Sequence, residues 1–294
     1  MNTPTRILDG KAIAAQIKSQ LKTETEAFTR AVGRKPGLAT ILVGDNPGSH
    51  TYVANKVKAC SEVGMESIHH PLPTSTSMTD LVALMKRLNA DPKVDGILLQ
   101  LPLPNNVDST PALEATDPGK DADGLHPYNL GQLFEYKNWS EMASGRSPLP
   151  CTPHAVIQIL QRSKSPVSGR HAVVLGRSKL VGKPVAMMLQ ALDATVTMCH
   201  SRTRDLEGLC RQADILVAVI GQPRFVKASM VKEGATVVDV GINRDKDGKL
   251  CGDVDFEAVR DKTSAITPVP GGVGPMTIAM LLFNTLQLAK KHAK

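Results

Sequence analysis

Short apolar runs of strand length alternate with stretches of helical periodicity along nearly the whole chain, and this alternation restricts the fold to an α/β architecture. In the first part, Ile13, Ile17 and Leu21 recur at i, i+4 and i+8 and mark one helix face, closed by Gly33 and Pro36. Leu38 to Val43 is an apolar run ending at Gly44 and reads as a buried strand, with turn residues as far as Gly48 behind it. Ser49 reads as an N-cap for a helix over residues 51–63. Leu81, Leu84, Met85 and Leu88 give another helical stripe, and Val94 to Leu101 a second strand, halted by Pro102 and Pro104. From Pro102 to about Pro153 the pattern gives way to Pro, Gly, Asn and Asp, and the domain boundary is expected there. A second alternation follows. It predicts a helix over 155–160, strands over 171–175, 195–199, 215–220 and 236–240, and a closing helix over 276–291. No internal repeat is visible at a fixed period.

The 294 residues suggest about two domains, enough to bury a core without disulfides or metal staples. The uncharged stretch Gly274 to Ala289 is shorter than the ~20 apolar residues a membrane span needs and carries Asn284 and Gln287. Arg6, Asp9 and Lys11 stand where a signal peptide needs an unbroken apolar core, so neither a membrane nor export is expected. The 35 Lys and Arg against 28 Asp and Glu give a net charge of +7, which suits a nucleic acid or a polyanionic small molecule. One Trp, three Tyr and five Phe are too few for rows of base-stacking platforms, and the basic residues form no run. Nucleic acid is therefore not the expected partner. Five cysteines, Cys60, Cys151, Cys199, Cys210 and Cys251, form no C-x-x-C pair, which fits a reducing cytoplasm with no disulfide framework and no metal site.

Residues 171–184, HAVVLGRSKLVGKP, read as a strand, a glycine turn and a helix start. Gly176 suits the turn, Gly182 close backbone approach, and Pro184 the first helical turn. N–H groups at such a helix start meet an anion such as pyrophosphate, although an ordinary strand–helix turn has the same pattern. The next strand sharpens the reading. A site for NAD places an Asp or Glu at its end to accept from the ribose 2′-OH. Here the strand runs into His200, Ser201, Arg202, Thr203 and Arg204, with no acid before Asp205, which favours a 2′-phosphate and hence NADP. Arg177 and Arg202 both qualify as its reader. Asp214 and Asp239, at strand edges, read as turn or capping residues.

Ser49, Tyr52 and Lys56, at i, i+3 and i+7, share one helix face. Tyr offers a ring for a heteroaromatic ligand, and a desolvated Lys offers a proton or charge; a solvated Lys beside a half-buried Tyr fits the same spacing. Gln100 falls at the C-terminal end of a buried-looking strand, where α/β sites collect. Lys120 to Gly124 puts carboxylates in a Gly-bounded loop, and Ile266 to Thr277 supplies bare backbone ahead of the last helix.

Together these segments resemble the bifunctional methylenetetrahydrofolate dehydrogenase/cyclohydrolase family. The matching motifs are the Tyr52-x-x-x-Lys56 helix, DGILLQLPLP from Asp95, KDADG from Lys120, PCTP from Pro150, GRSKLVGKP from Gly176, CHSRT from Cys199, VDVGIN from Val238 and ITPVPGGVGPMT from Ile266. Small departures occur at His154-Ala155 and at Val219-Ile220. The resemblance implies a folate-binding catalytic α/β domain over 1–148 plus 275–294 and a Rossmann-like NADP-binding domain over 149–274. It implies that the last helix returns to the first domain, so that the Pro/Gly segment crosses a cleft. It further implies oxidation of methylene-tetrahydrofolate with NADP and hydrolysis of the methenyl product to formyl-tetrahydrofolate, in a cytoplasmic homodimer. Lys56 would be the catalytic lysine with Gln100 bonded to it, Tyr52 would stack on folate, and Asp123 would hold the pteridine. Ser49, Leu101, Pro270, Gly274 and Thr277 would line the substrate site, and Gly176, Arg177, Ser178, Ser201, Arg202 and Ile242 the cofactor site. A shikimate-dehydrogenase-like oxidoreductase also pairs a lysine-bearing α/β domain with a nucleotide domain, but leaves VPGGVGPMT unexplained. A basic, non-catalytic nucleotide-binding protein is the alternative from another class.

Overall fold

The computed structural model describes residues 4–293; residues 1–3 and 294, the ends of the expected catalytic ranges, lie outside the described residues. In chain order the strands are β1 (Arg6–Ile7), β2 (Gly37–Val43), β3 (Glu66–Leu72), β4 (Gly96–Leu99), β5 (His171–Leu175), β6 (Thr195–Cys199), β7 (Ile215–Ala218), β8 (Thr236–Asp239), β9 (Asn243–Arg244), β10 (Leu250–Cys251) and β11 (Ala265–Ile266).

The chain divides into two compact units. One, the lysine unit, holds Ala15–Gln132, Gly145–Cys151 and the chain from Ile278 onward. The other, the glycine-turn unit, holds the segment ending at Ala14, then Leu133–Ser144 and Thr152–Thr277. The expected bounds differ at three places. The first strand, placed by sequence in the catalytic range, belongs with the glycine-turn unit, where Arg6 and Ile7 pair with Ala265 and Ile266. Thr5 Oγ1 also donates to the carbonyls of Arg260 and Thr263 there. Two residues carry no readable period, so nothing in the sequence marked this strand. Residues 133–144 join the same unit, with the Trp139 ring 5.8 Å from His154, edge to face. The last helix, Val273–His292, starts in the glycine-turn unit and passes to the lysine unit at Ile278.

In the lysine unit β2 lies between β3 and β4, parallel to both. All seven residues of β2 are buried, as a central strand covered on both faces requires. Strand β3 had no apolar run to betray it: it is a half-exposed edge strand, Glu-Ser-Ile-His-His-Pro-Leu, and its Pro71 is tolerated at an edge. The helix after β2 runs Pro47–Glu62, four residues earlier than expected. Its cap is Asn46, whose side chain accepts from the Ser49 N–H at 3.1 Å, with Pro47 in the first turn. Ser49 is thus inside the helix rather than its cap. The Met78–Ala90 helix buries the predicted stripe Leu81, Leu84, Met85 and Leu88.

The glycine-turn unit is a six-stranded parallel sheet in the order β1-β11-β8-β7-β5-β6. Strands β5 and β6 have the predicted bounds; β7 and β8 stop at Ala218 and Asp239, one or two residues short. Val173, Leu175, Leu216, Val237 and Ile266 are fully or almost fully buried in its core. The order reverses around β5, with β6 on one side and β7 on the other. Ligands of such sheets sit outside the carboxyl ends of the strands at that switch point.

Candidate active site

In the lysine unit, the Pro47–Glu62 helix buries Ser49, Val53, Lys56 and Cys60 along one face. Tyr52, one turn before Lys56, keeps 37% of its surface exposed, and burial of the rest raises its phenol's pKa. Lys56 is only 9% exposed, which decides between the two readings of its spacing: it is not a solvated lysine. Its Nζ donates to Gln100 Oε1 at 2.9 Å. Gln100 stands just past β4, which ends at Leu99 rather than Leu101, and its N–H still pairs with the Ile41 carbonyl at 2.9 Å. Its Nε2 donates to the Leu101 carbonyl at 2.7 Å, so the amide oxygen is the atom turned to the lysine. Burial lowers the Lys56 pKa from the ordinary lysine value, and the negative charge of Asp123 pulls it partly back up.

The two carboxylates of the KDADG loop have different tasks. Asp121 is buried and accepts from the N–H groups of Gly124 (3.1 Å) and His126 (2.8 Å) and from Asn129 Nδ2 (2.8 Å), so it shapes the loop. Asp123 is half-buried and exerts its charge on both Lys56 and Cys151. Sequence reasoning missed two neighbours. The Cys151 thiol is held far above its ordinary pKa, first by burial and then by Asp123, and donates to the Ala122 carbonyl at 3.3 Å. Asn284, on the last helix, donates to the carbonyls of Ala122 (2.9 Å) and Leu149 (2.8 Å). The available signal was an Asn among the apolar positions of the last helix, and the structure buries it.

In the glycine-turn unit, Gly176 follows β5 at φ +133°, its N–H bonded to the Cys199 carbonyl at the end of β6 (2.9 Å). A Cβ there would overlap the Val219 carbonyl, and one on Gly182 would overlap the Gly176 carbonyl. The close approach expected of Gly182 is thus between helix and strand. Ser178 Oγ accepts from the N–H groups of Val181 and Gly182, both at 3.2 Å, and organises the helix start. Arg177, Ser178, Ser201 and Arg202 are exposed beside the ends of β5 and β6. The first acid past β6, Asp205, caps the Leu206–Arg211 helix by accepting from Gly208 N–H at 3.1 Å. No carboxylate of that segment is therefore left for a ribose 2′-OH, and the donors present fit a 2′-phosphate. Asp214 accepts from His171 N–H and Lys232, and Asp239 ties a loop, the structural tasks expected of them.

Ile242, 48% exposed, lies 3.7 Å from where a Cβ on Gly274 would stand. Pro270 is exposed, and Thr277 Oγ1 meets Thr152 Oγ1 at 3.2 Å. All four belong to the glycine-turn unit, including Thr277, which the expected bounds placed in the other domain. Among the described residues no three metal-ligating side chains converge.

Two family models match the chain: tetrahydrofolate dehydrogenase/cyclohydrolase, catalytic domain, over residues 8–123, and the NAD(P)-binding domain of the same name over residues 150–293. The bifunctional protein FolD of Geotalea uraniireducens is 50% identical over 287 residues, 98% of this chain and 99% of that one. The crystal structure of the bifunctional FolD enzyme of Campylobacter jejuni is similar at a TM-score of 0.92 with 47% identity, covering 98% and 99% of the two chains. The Trypanosoma brucei dehydrogenase-cyclohydrolase, solved with NADP and an inhibitor, has a TM-score of 0.91 and 39% identity, covering 98% of each chain.

Proposed function

The chain belongs to the tetrahydrofolate dehydrogenase/cyclohydrolase family, and from that premise we propose how its own residues carry the two reactions. The enzyme oxidises methylene-tetrahydrofolate with NADP and hydrolyses the methenyl product to 10-formyl-tetrahydrofolate. NADP, when bound, supplies the acceptor for the hydride that leaves the one-carbon bridge. The Gly176 turn, Ser178, Ser201 and Ile242 would hold it, and Arg177 and Arg202 would supply the cations for a 2′-phosphate. The protein's task in this step is alignment rather than proton transfer. Tyr52 stacks on the folate ring, Asp123 accepts from its N–H donors, and Ser49 and Leu101 complete the lysine unit's contacts with the substrate.

Hydrolysis asks more of the chain. Water adding to the methenyl carbon must lose a proton, and the departing ring nitrogen must gain one. Lys56 takes the first and returns it to the second. The observation that carries this reading is the buried Nζ of Lys56, 2.9 Å from Gln100 Oε1. Burial favours the neutral amine, and the cationic methenyl group beside it disfavours the ammonium further. Gln100 accepts from the amine without offering it a charge, so it aims Nζ without re-stabilising the protonated form.

The mixed assay tests both halves. With protein, methylene-tetrahydrofolate and NADP, NADPH and methenyl absorbance are followed together. NADPH should rise while methenyl stays low. Methenyl accumulating one-for-one with NADPH and decaying only at the buffer rate would remove the hydrolase half.

We also propose a cytoplasmic homodimer. Five buried free cysteines suit a reducing compartment, and no described helix is long and apolar enough to cross a membrane. A monomeric mass by sedimentation at micromolar concentration would overturn the dimer.

A further inference from the structure

Asp239, which ties a loop, shares that task with a second buried aspartate of the glycine-turn unit, Asp253. Asp253, fully buried beyond β10, accepts from the N–H groups of Ile220 (2.7 Å), Gly221 (3.1 Å) and Gln222 (2.8 Å), and from Asn243 Nδ2 (2.9 Å). Asp239, the buried last residue of β8, accepts from the N–H groups of Gly241 (2.9 Å), Asp253 (3.0 Å) and Val254 (2.9 Å). Its own N–H donates to Thr267 Oγ1 at 2.7 Å. The pair therefore binds together the chain leaving β7, the chain leaving β8 and the chain leaving β10. The approach is so close that a Cβ on Gly241 would overlap the Asp253 carboxyl, and one on Gly252 the Asp239 carboxyl.

The placement of this clamp points to the cofactor. It lies at the carboxyl ends of β7 and β8, on the side where parallel sheets of this kind take dinucleotides. Ile242, half-exposed, is held on both flanks: Gly241 N–H is bonded to Asp239 and the Asn243 side chain to Asp253. On the other loop, Ile220 adjoins Val219, whose carbonyl occupies the space the missing Gly176 side chain leaves. We propose that Asp239 and Asp253 are positioning residues for NADP, holding Ile242 and the Ile220–Gln222 loop in the binding-competent arrangement. A carboxylate suits this because it only accepts and offers two oxygens to converging N–H groups, whereas an amide would turn its own donors on some of them. Burial and the neighbouring Asp253 charge raise Asp239 to about 7, and the N–H groups of Val254, Asp253 and Gly241 oppose that rise by favouring the accepting carboxylate.

The inference rests on the reading of Gly176 and Ile242 as cofactor contacts, and the test separates the two. NADP affinity is measured by titration calorimetry on the full-length protein, wild type, Asp253→Asn and Asn243→Ala, with a thermal melt of each. Methenyl-tetrahydrofolate hydrolysis, which consumes no NADP, is assayed in parallel. Asp253→Asn turns an amide N–H group toward buried donors and should raise the NADP Kd roughly tenfold. Asn243→Ala removes one bond and should raise it about threefold. Hydrolysis should move by less than about twofold, since it consumes no NADP and the proposed proton carrier Lys56 belongs to the other unit. A wild type that does not bind NADP would sink the underlying reading, and this inference with it. Wild-type binding with Kd unchanged in folded variants would overturn the inference alone, as would equal loss of binding and hydrolysis with a collapsed melt. If Asp253→Asn does not fold, Asn243→Ala decides by the same criteria.

Discussion

Lys56→Met separates the two reactions at a single atom. Methionine keeps the unbranched stem of lysine and its approximate volume, so the buried face of the Pro47–Glu62 helix stays filled. Two stability effects oppose each other. Gln100 Oε1 loses its donor, at a cost of about 1–3 kcal/mol for an unsatisfied acceptor that is only part-buried here. The folded state also no longer holds a desolvated amine that its surroundings disfavour in charged form, which offsets part of that loss. The net change should be within about 1 kcal/mol, a melting shift of about 2–4 °C. The kinetic effect is far larger. Loss of a general acid–base group lowers hydrolysis by roughly 10²–10⁴, or about 2.7–5.4 kcal/mol of barrier. Hydride transfer needs no base and should survive in part, weakened through folate positioning. Single-turnover NADPH formation and the decay of added methenyl-tetrahydrofolate measure the two steps separately. The pH profile adds an independent check. The neutral amine is the base and burial lowers its pKa, so wild-type hydrolysis should rise with pH along a limb below the ordinary lysine value of 10.5, and the variant should lack that limb. Equal loss of both activities with folate binding intact would refute the reasoning and leave Lys56 a geometric role.

Gln100→Ala frees the amine from its 2.9 Å anchor and should depress both activities, whereas Tyr52→Ala should act mainly on the KM for folate; the reverse pattern in steady-state kinetics would exchange their roles. With Asp205 committed to its helix cap, NADP should exceed NAD in kcat/KM, and Arg202→Ala should lower that ratio by roughly tenfold, as loss of one charge-assisted contact does. A ratio favouring NAD in the wild type would sink the argument. Burial pushes His154 down to about 4, so the unfolded chain takes up a proton that the folded one refuses between that value and 6.5. Stability from this group should fall by up to about 3 kcal/mol as pH drops through that window, and His154→Gln should flatten the urea-unfolding profile there.

Elements with a readable apolar pattern were the legible ones. Strand β5 has the expected bounds because its buried apolar run stops at Gly176, and β6, a half-buried edge strand, because its Thr-Val-Thr-Met-Cys stretch stops at polar residues. The stripe of the Met78–Ala90 helix came out residue by residue for the same reason. Strand β3 stayed hidden because Glu-Ser-Ile-His-His-Pro-Leu has little apolar pattern, and β1 because two residues have none. At the site, side chains adjacent on one helix were legible from their spacing. The Lys56–Gln100 bond spans 44 positions and joins a helix to a strand end, so the motif resemblance had to supply it. Asn284 and the Asp239–Asp253 clamp were illegible for a further reason. Most of their partners are backbone groups, and a backbone N–H or carbonyl is the same at every position of a sequence. Only the fold says which of them converge.

In the mechanism proposed above, one amine serves a pair of reactions with different demands. During hydride transfer a cation is created next to Lys56, and an ammonium at that point would oppose it. During hydrolysis the same nitrogen must bind a proton long enough to return it. Complete desolvation would serve the first need and defeat the second, because an amine driven too low would no longer hold the proton. The structure sets two influences against each other: burial, the larger, lowers the Lys56 pKa, and Asp123 raises it. Asp123 exerts its charge from a loop whose shape is fixed independently, by Asp121 on one side and by Asn284 holding the Ala122 carbonyl on the other. The amine's basicity thus depends on a distance that the substrate does not have to set, while Gln100 fixes its direction without adding charge. Proton affinity and aim are thus set by different residues: burial and Asp123 set how readily the proposed base takes a proton, and Gln100 sets where its nitrogen points.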